Sequence, residues 1–497
     1  MTIAQPSLEL LGQSLPIGES GVRATAQADI RFPFDGSIIG KAPVGDAASA
    51  SLAMAEAAAV LPAMAAAGTG KRRALLMDIQ DKLSARSEEF ARLLVLETGK
   101  PILDCAVEMA RTLTTWTAAA EEVSRTTGET VPLDLQPLGE GMLGYYTRRP
   151  AGVVVGIAGF NYPVLLATHK IAPALAAGCP IVIKPSPDTP LATLLLVELI
   201  RDVLAAHDLP RAAVQMVNGG VDVGEALVGD SRAAVVSFTG SAAVGHQIAR
   251  AAAPRKTVLE LGSNTGLIVD NDADVDAAVD AVIRGGFYAN GQACISVQRV
   301  VLLTGIAEEF TNKLASRIPE VVVGDPRNPA TRVAPVINSA SAVRITSWVA
   351  EALTQGAWIV ATNSPVDGVS DDSGTDSESL IYPTVLANVP HSSPLWCQEI
   401  FGPVVALETV DSMEAAIELV NDSRYGLQAS VFTRSLKSAF AAINGLDVGG
   451  VVVNEIPGFR SDIMPYGGVK DSGVGREGPR WAIEEFTTTR MAMIRPA

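Results

Sequence analysis

The chain is short of cysteine, of basic charge and of unbroken apolar stretches, and each shortage removes a class of function. Four cysteines among 497 residues, Cys105, Cys179, Cys294 and Cys397, are too few and too scattered for a disulfide framework, so a reducing, cytoplasmic setting is expected. Lys and Arg number 38 against 54 Asp and Glu, and the formal charge of −16 repels phosphate backbones and anionic lipid heads alike. Neither nucleic acid nor a membrane surface is expected as a partner. The start of the chain, Met1 to Gly12, lacks the basic segment and apolar run of a secretion signal. Apolar stretches such as 191–200 break at Glu, Lys, Pro or Gly before reaching the roughly 18–20 residues of a bilayer crossing. Repeats of solenoid period are also missing.

What remains is an ordinary globular composition. Apolar residues make up 48% and charged residues 19%, which excludes disorder and leaves material for a large core. At roughly 150 residues per domain the length corresponds to about three folding units. Residues 47–66 and 71–96 are rich in Ala, Leu, Met and Glu at helical spacing, Gly99-Lys100-Pro101 punctuates them, and a third helix is predicted near 101–124. Residues 128–146 read as a short extended ribbon. From Gly152 the pattern becomes strand, turn, helix: strands at 153–157, 180–183, 213–218 and 233–238 alternate with helices at 165–177, 191–207, 221–228 and 244–252. A second series has strands at 267–270 and 299–303 and helices at 274–289 and 307–316. Continuous β-branched runs between amphipathic helices predict α/β units built on parallel sheets covered on both faces. The Ser/Asp/Gly-rich stretch 364–379 is expected to be an exposed loop.

Several segments carry residue types suited to chemistry. Phe238-Thr239-Gly240-Ser241 closes a strand and opens a helix, where outward N–H groups and the helix dipole suit a pyrophosphate. The G-x-G-x-x-G fingerprint is absent, and taken alone the segment reads first as a plain strand-to-helix turn. Lys184-Pro185-Ser186 stands at the carboxyl end of a parallel strand, where open α/β sheets bind ligands; alone it reads equally as a surface lysine. Cys294 lies in a polar, Gly-containing segment, Asn290-Gly291-Gln292-Ala293-Cys294, whereas Cys105 and Cys179 have apolar surroundings. Glu260 is an acid inside the apolar run Val258-Leu259-Glu260-Leu261, and a buried carboxylate either pairs or carries a raised pKa, which makes it a candidate general base. Asn161, ending the first strand of the series, offers an amide donor for an oxyanion and is equally ordinary turn chemistry.

Taken together, Gly-Phe-Asn-Tyr-Pro at 159–163, Ile-Lys-Pro-Ser at 183–186, Phe-Thr-Gly-Ser at 238–241, Leu-Glu-Leu-Gly at 259–262, Gly-Gln-Ala-Cys at 291–294, Glu-Ile-Phe-Gly-Pro at 399–403 and Gly-Gly-Val-Lys-Asp-Ser-Gly at 467–473 resemble the aldehyde dehydrogenase superfamily over nearly the whole chain. Phe459-Arg460 ahead of Pro465, and Gly475-Arg476-Glu477-Gly478, look most like the branch holding lactaldehyde and non-phosphorylating glyceraldehyde-3-phosphate dehydrogenases. The resemblance implies two doubly wound α/β domains, a Rossmann-like NAD(P)-binding domain over 1–128 and 150–262 and a catalytic domain over 263–470, with an oligomerisation ribbon and tail over 129–149 and 471–497. It implies Cys294 as nucleophile, Asn161 with the Cys294 N–H as oxyanion hole, and Glu260 as base. Lys184, Ser186, Gly240, Ser241, Glu399 and Phe401 would hold NAD or NADP, and Arg111, Tyr162 and Arg460 would grip an anionic substrate end.

The implied reaction is oxidation of a small aldehyde, 2-hydroxylated or anionic at its tail, to the acid through a thiohemiacetal and a thioester. The alternatives are a coenzyme A-acylating enzyme and a non-catalytic relative. Pro187 replaces the glutamate that many NAD-preferring members carry there, with Asp188 next to it, so NADP is admitted beside NAD. Ala293 replaces an arginine expected in the anion clamp. The pocket wall is expected to include Arg111, Trp116, Tyr162, Ala293, Ile295 and Phe459, and a homodimer or homotetramer is expected.

Overall fold

The structure, a computed structural model, describes residues 13–364 and 377–496. Most of the Ser/Asp/Gly-rich stretch and the start of the chain lie outside the described residues.

Two α/β units are observed. The first sheet has the order Gly473–Val474, Lys256–Glu260, Ala233–Thr239, Val153–Ile157, Ile181–Lys184, Val214–Met216, parallel throughout except for the two-residue edge strand Gly473–Val474. Val153–Ile157 and Ile181–Lys184 are buried along their whole length, as continuous β-branched strands under helices on both faces should be. The second sheet runs Trp358–Thr362, Thr384–Ala387, Val404–Val410, Arg299–Leu303, Gly266–Val269, Gln428–Phe432, Gly450–Val453, again parallel apart from one edge strand, Trp358–Thr362. In both sheets the antiparallel member sits where only one neighbour constrains its direction.

The helical forecast needs one correction. Residues 71–96 form two helices, Thr69–Ala85 and Ser87–Thr98, because the chain turns at Arg86, whose guanidinium is tied to Glu89. Helix Ala47–Ala66 is long and apolar enough to cross a bilayer by length and composition. In this fold it packs Ala50, Ala53, Met54 and Ala57 into the core beneath the first sheet. The expected ribbon segments pair with each other: Leu143–Pro150 runs antiparallel to Thr487–Ile494 over eight residue pairs, leaving Leu143, Met493 and Ile494 exposed. The expected tail also contributes the edge strand Gly473–Val474 and the helix Pro479–Glu485, which packs on helix Pro163–Ala177.

Candidate active site

In the first sheet the strand order reverses between Val153–Ile157 and Ala233–Thr239, so the chain departs in opposite directions from their carboxyl ends and leaves a crevice. Such switch points are where open α/β sheets bind ligands. Gly159 to Tyr162 leave one of these strand ends and Gly240-Ser241 the other. The segments facing them, 291–295 and 399–401, precede the second-sheet strands Arg299–Leu303 and Val404–Val410. A cavity of about 350 Å³ lies between the two edges, and Asn161, Glu260 and Cys294 all line it.

The turn that presents Cys294 is strained. Ala289 and Asn290 have φ of 50° and 60°, left-handed values that cost on the order of 1–3 kcal/mol each for residues with a side chain. Asn290 offsets this with its buried amide, which donates to Gly99 and Pro335 carbonyls at 3.2 and 2.9 Å and accepts from Ala334 N–H at 2.8 Å. Gly291 completes the turn at φ 69°, where a Cβ would lie 2.2 Å from the Gly402 backbone. Gln292 is anchored through Ile337 N–H at 3.0 Å, and Thr265 donates to the Cys294 carbonyl at 3.2 Å. The Cys294 Sγ is 3.3 Å from the Tyr466 hydroxyl, and burial pushes the thiol up to about 12. Cys105 and Cys179 are fully buried and cannot compete, while Cys397 is partly exposed elsewhere.

Asn161 Nδ2 donates to the Gln292 carbonyl at 2.8 Å, which fixes the amide beside Cys294 and leaves its second N–H for a ligand. The helix that follows, Pro163–Ala177, is held at its start by the buried Glu108 carboxylate, which accepts from Val164 and Leu165 N–H at 3.0 and 3.1 Å. Lys100 pairs with Glu108, its ammonium lying 3.8 Å above the Tyr162 ring. Glu260 ends the strand Lys256–Glu260, and among the described residues neither of its carboxylate oxygens has a hydrogen-bond partner. Burial first, and then the nearby Glu477 charge, hold it well above the usual carboxylate range. A Cβ on Gly467 would fall 2.9 Å from Glu260 Oε1, so glycine there leaves the carboxyl its room.

The dinucleotide candidates lie on the other side of the cavity. Ser241 caps the helix Ala242–Ala252 without a side-chain bond of its own, and Gly245 lets that helix pack against Leu261, where a Cβ would come within 2.3 Å. Glu399 accepts from Ser263 N–H at 3.0 Å, and burial raises its carboxyl to about 7. Phe401 meets Phe160 edge to face at 5.6 Å. Lys184 and Ser186 stand at the carboxyl end of the adjacent strand, on the same sheet edge but outside the cavity. Burial lowers the Lys184 ammonium, whose protein bond is to the Pro185 carbonyl at 3.3 Å.

Arg111, Tyr162 and Arg460 line the opposite end, but neither arginine is a free cation. Arg111 is held bidentately by Asp462 at 2.9 and 3.0 Å, and Arg460 reaches Asp462 at 3.5 Å and Glu477 at 3.3 Å while lying over the Tyr466 ring. His169 bridges the two acids, and Lys170 binds Glu477 at 3.1 Å and Thr239 at 2.7 Å. Sequence reasoning missed this network and also Tyr288, Arg344 and Trp348 in the wall. Glu477 did fall in the segment Gly475-Arg476-Glu477-Gly478 singled out for its family likeness, and Tyr466 directly precedes the motif at 467–473; Asp462 and His169 carried no signal. Two wall expectations are corrected. Trp116 is fully buried in the helical core, and Phe459 is 52% exposed and outside the cavity, whereas its neighbour Arg460 lines it.

The chain belongs to the aldehyde dehydrogenase family, whose model matches residues 22–492. The 3-sulfolactaldehyde dehydrogenase of Priestia aryabhattai is 40% identical over 85% of this chain and 86% of its own length. Among solved structures, aldehyde dehydrogenase 21 of Physcomitrella patens, in complex with the reaction product succinate, superposes with a TM-score of 0.92 at 33% identity, covering 97% of this chain and 98% of that one. The glyceraldehyde-3-phosphate dehydrogenase of Methanocaldococcus jannaschii, complexed with NADP, does so at 0.89 and 32%, covering 95% and 100%.

Proposed function

We propose that this enzyme oxidises a small aldehyde, hydroxylated next to the carbonyl and anionic at its far end, to the carboxylic acid with NAD or NADP. The observation that carries the reading is the convergence of a thiol, an amide donor and an unpartnered carboxyl, Cys294, Asn161 and Glu260, on one cavity. The Cys294 sulfur adds to the aldehyde carbon, and the Asn161 N–H with the Cys294 backbone N–H holds the oxygen that gains charge. A bound NAD or NADP would supply the acceptor for the hydride that leaves the carbon attached to Cys294, and loss of that hydride leaves a thioester on the sulfur. The thioester left on Cys294 is cleaved by water, whose proton goes to Glu260.

The residues on the dinucleotide side fit that group. A bare helix start at Ser241 suits pyrophosphate, a buried carboxyl at Glu399 with one oxygen off Ser263 suits a ribose hydroxyl, and the Phe401 ring supplies a flat apolar face. Pro187 removes one carboxylate that would repel a ribose 2′-phosphate while Asp188 next to it supplies another, so NAD and NADP both stand as cofactors of this reading.

Arg111 and Arg460 line the far end of the cavity, the acids paired with them, Asp462 and Glu477, do not, Lys170 is buried behind Glu477, and Glu260 is biased toward its neutral form. The surplus positive charge favours an anionic tail. Both the sulfolactaldehyde and the glyceraldehyde-3-phosphate of the named relatives are 2-hydroxyaldehydes ending in an anion.

Free acid formed without coenzyme A, and reduced dinucleotide in equal amount, is the expected product pattern; an acyl product appearing only with coenzyme A would assign the transferase alternative instead. Asn161→Ala is expected to lower kcat by about 10²–10³, as loss of one oxyanion donor does, with little change in dinucleotide affinity. Arg111→Gln is expected to raise KM for 4-oxobutanoate about tenfold and to leave KM for butanal within about twofold, measured side by side. Equal changes for the two aldehydes would take Arg111 out of tail binding. Because Leu143–Pro150 and Thr487–Ile494 form a thin ribbon with exposed apolar residues, we further expect the ribbon to be covered by another subunit; a monomeric mass in light scattering would contradict this.

A further inference from the structure

The Cys294 sulfur has one hydrogen-bond partner among the described residues, the Tyr466 hydroxyl at 3.3 Å, and that sulfur is in turn the hydroxyl's one partner among them. Both residues line the catalytic cavity. Tyr466 is fixed from two sides. Its backbone exchanges two hydrogen bonds with Glu477, at 3.1 and 2.7 Å, and its ring packs with Ile295, Leu427 and Met464. The Arg460 guanidinium lies over the ring, 3.7 Å from its centre.

A thiol attacks as its anion, and burial works against that anion here. The nearby Glu260 and Glu399 oppose it too, whereas Arg460 favours it. An anionic sulfur can only accept a hydrogen bond, and the phenol, which burial keeps protonated, is placed to donate one. A cation on the face of the ring draws charge from the oxygen and strengthens the O–H as a donor. We propose that Tyr466 is a catalytic residue whose hydroxyl donates a hydrogen bond to the Cys294 sulfur and holds it as the attacking thiolate. The same bond serves the second half of the reaction, in which water cleaves the thioester and the sulfur departs with its electron pair. The phenol keeps its proton and forms no covalent bond, and the thiol's own proton is released to water. The catalytic part of this role rests on the aldehyde-oxidising reading of the cavity, whereas the hydrogen bond itself is measurable without any aldehyde.

Iodoacetamide, a small neutral reagent that needs only the sulfur anion, is the probe. Following the Cys294 peptide by mass spectrometry keeps the partly exposed Cys397 out of the measurement. A hydrogen bond to a charged group raises the ionised fraction about tenfold or more, and the accompanying loss of intrinsic nucleophilicity takes back about half of that gain on a logarithmic scale. Tyr466→Phe, which keeps the ring and removes only the oxygen, is therefore expected to slow alkylation near neutral pH about three- to tenfold. The burst of reduced dinucleotide with butanal is expected to slow by a similar factor, while NADH affinity stays within about twofold. Met464→Ala loosens the same apolar cluster and leaves the hydroxyl in place, so its alkylation is expected to stay within about twofold of the wild type. Alkylation of Tyr466→Phe at the wild-type rate, or faster as a hydroxyl accepting from S–H would give, overturns the role of Tyr466 and leaves the oxidoreductase reading standing. An equal loss in Met464→Ala assigns the effect to packing and overturns the role as well. A wild type that oxidises neither butanal nor 4-oxobutanoate with NAD or NADP overturns that reading and the catalytic role with it, whatever the alkylation rates.

Discussion

Substituting alanine for Cys294 is expected to lower aldehyde oxidation by at least about four orders of magnitude while NAD(P) binding, followed by quenching of protein fluorescence, persists. Size of effect and separation of effects both follow from the geometry. Cys294 is the one thiol among the described residues that line the cavity, and Cys105 and Cys179 are sealed in cores. Among the described residues the hydrogen-bond partner of the Cys294 side chain is Tyr466, and the proposed dinucleotide contacts Ser241, Glu399 and Phe401 do not bond it. Turnover retained in Cys294→Ala would remove the thioester route. Because burial raises the wild-type thiol, the rate of its attack is expected to climb with pH toward the alkaline range.

Glu260→Gln is expected to separate the two halves of the reaction. Acylation should survive, giving a burst of reduced dinucleotide near one per active site, and the steady rate afterwards should drop by about 10²–10⁴, the usual worth of a positioned base. The sign of the pH dependence follows from the raised carboxyl. A base whose acid form is stabilised by burial gains its active, ionised form only as pH rises, so the wild-type steady rate increases with pH. In Glu260→Gln that rise is expected to vanish from the steady phase and to persist in the burst, which reports Cys294. Rapid-mixing absorbance at several pH values measures both, and an unchanged steady rate would exclude Glu260 as the base.

Much of this was legible before any coordinates. The strands Val153–Ile157 and Arg299–Leu303 were placed by their β-branched runs, and Cys294, the proposed nucleophile, stood out because its neighbours were Gly and Gln rather than Leu and Val. Motif order brought Asn161, Glu260 and Cys294 forward together. Partners did not follow. Arg111 and Asp462 are 351 positions apart, and His169 and Glu477 come from a helix and a loop that no local pattern connects. Local periodicity also reads through a break such as Arg86, because the apolar spacing resumes in phase after the turn. Arg460 lines the cavity while its neighbour Phe459 is exposed, an alternation that composition does not encode.

The late arrival of the segment from Arg460 to Glu477 has a consequence for how the enzyme is born. Tyr466 touches the thiol, Glu477 holds Lys170, Asp462 clasps Arg111, and Gly473–Val474 closes the edge of the first sheet, yet all of them leave the ribosome after nearly everything they touch. A nascent chain that already carries Cys294 therefore has neither the hydroxyl beside its sulfur nor the acids that tame its arginines. The wall around Cys294 is therefore complete only when synthesis is almost over, and a chain cut short before residue 460 lacks Tyr466 beside the sulfur and Asp462 against Arg111.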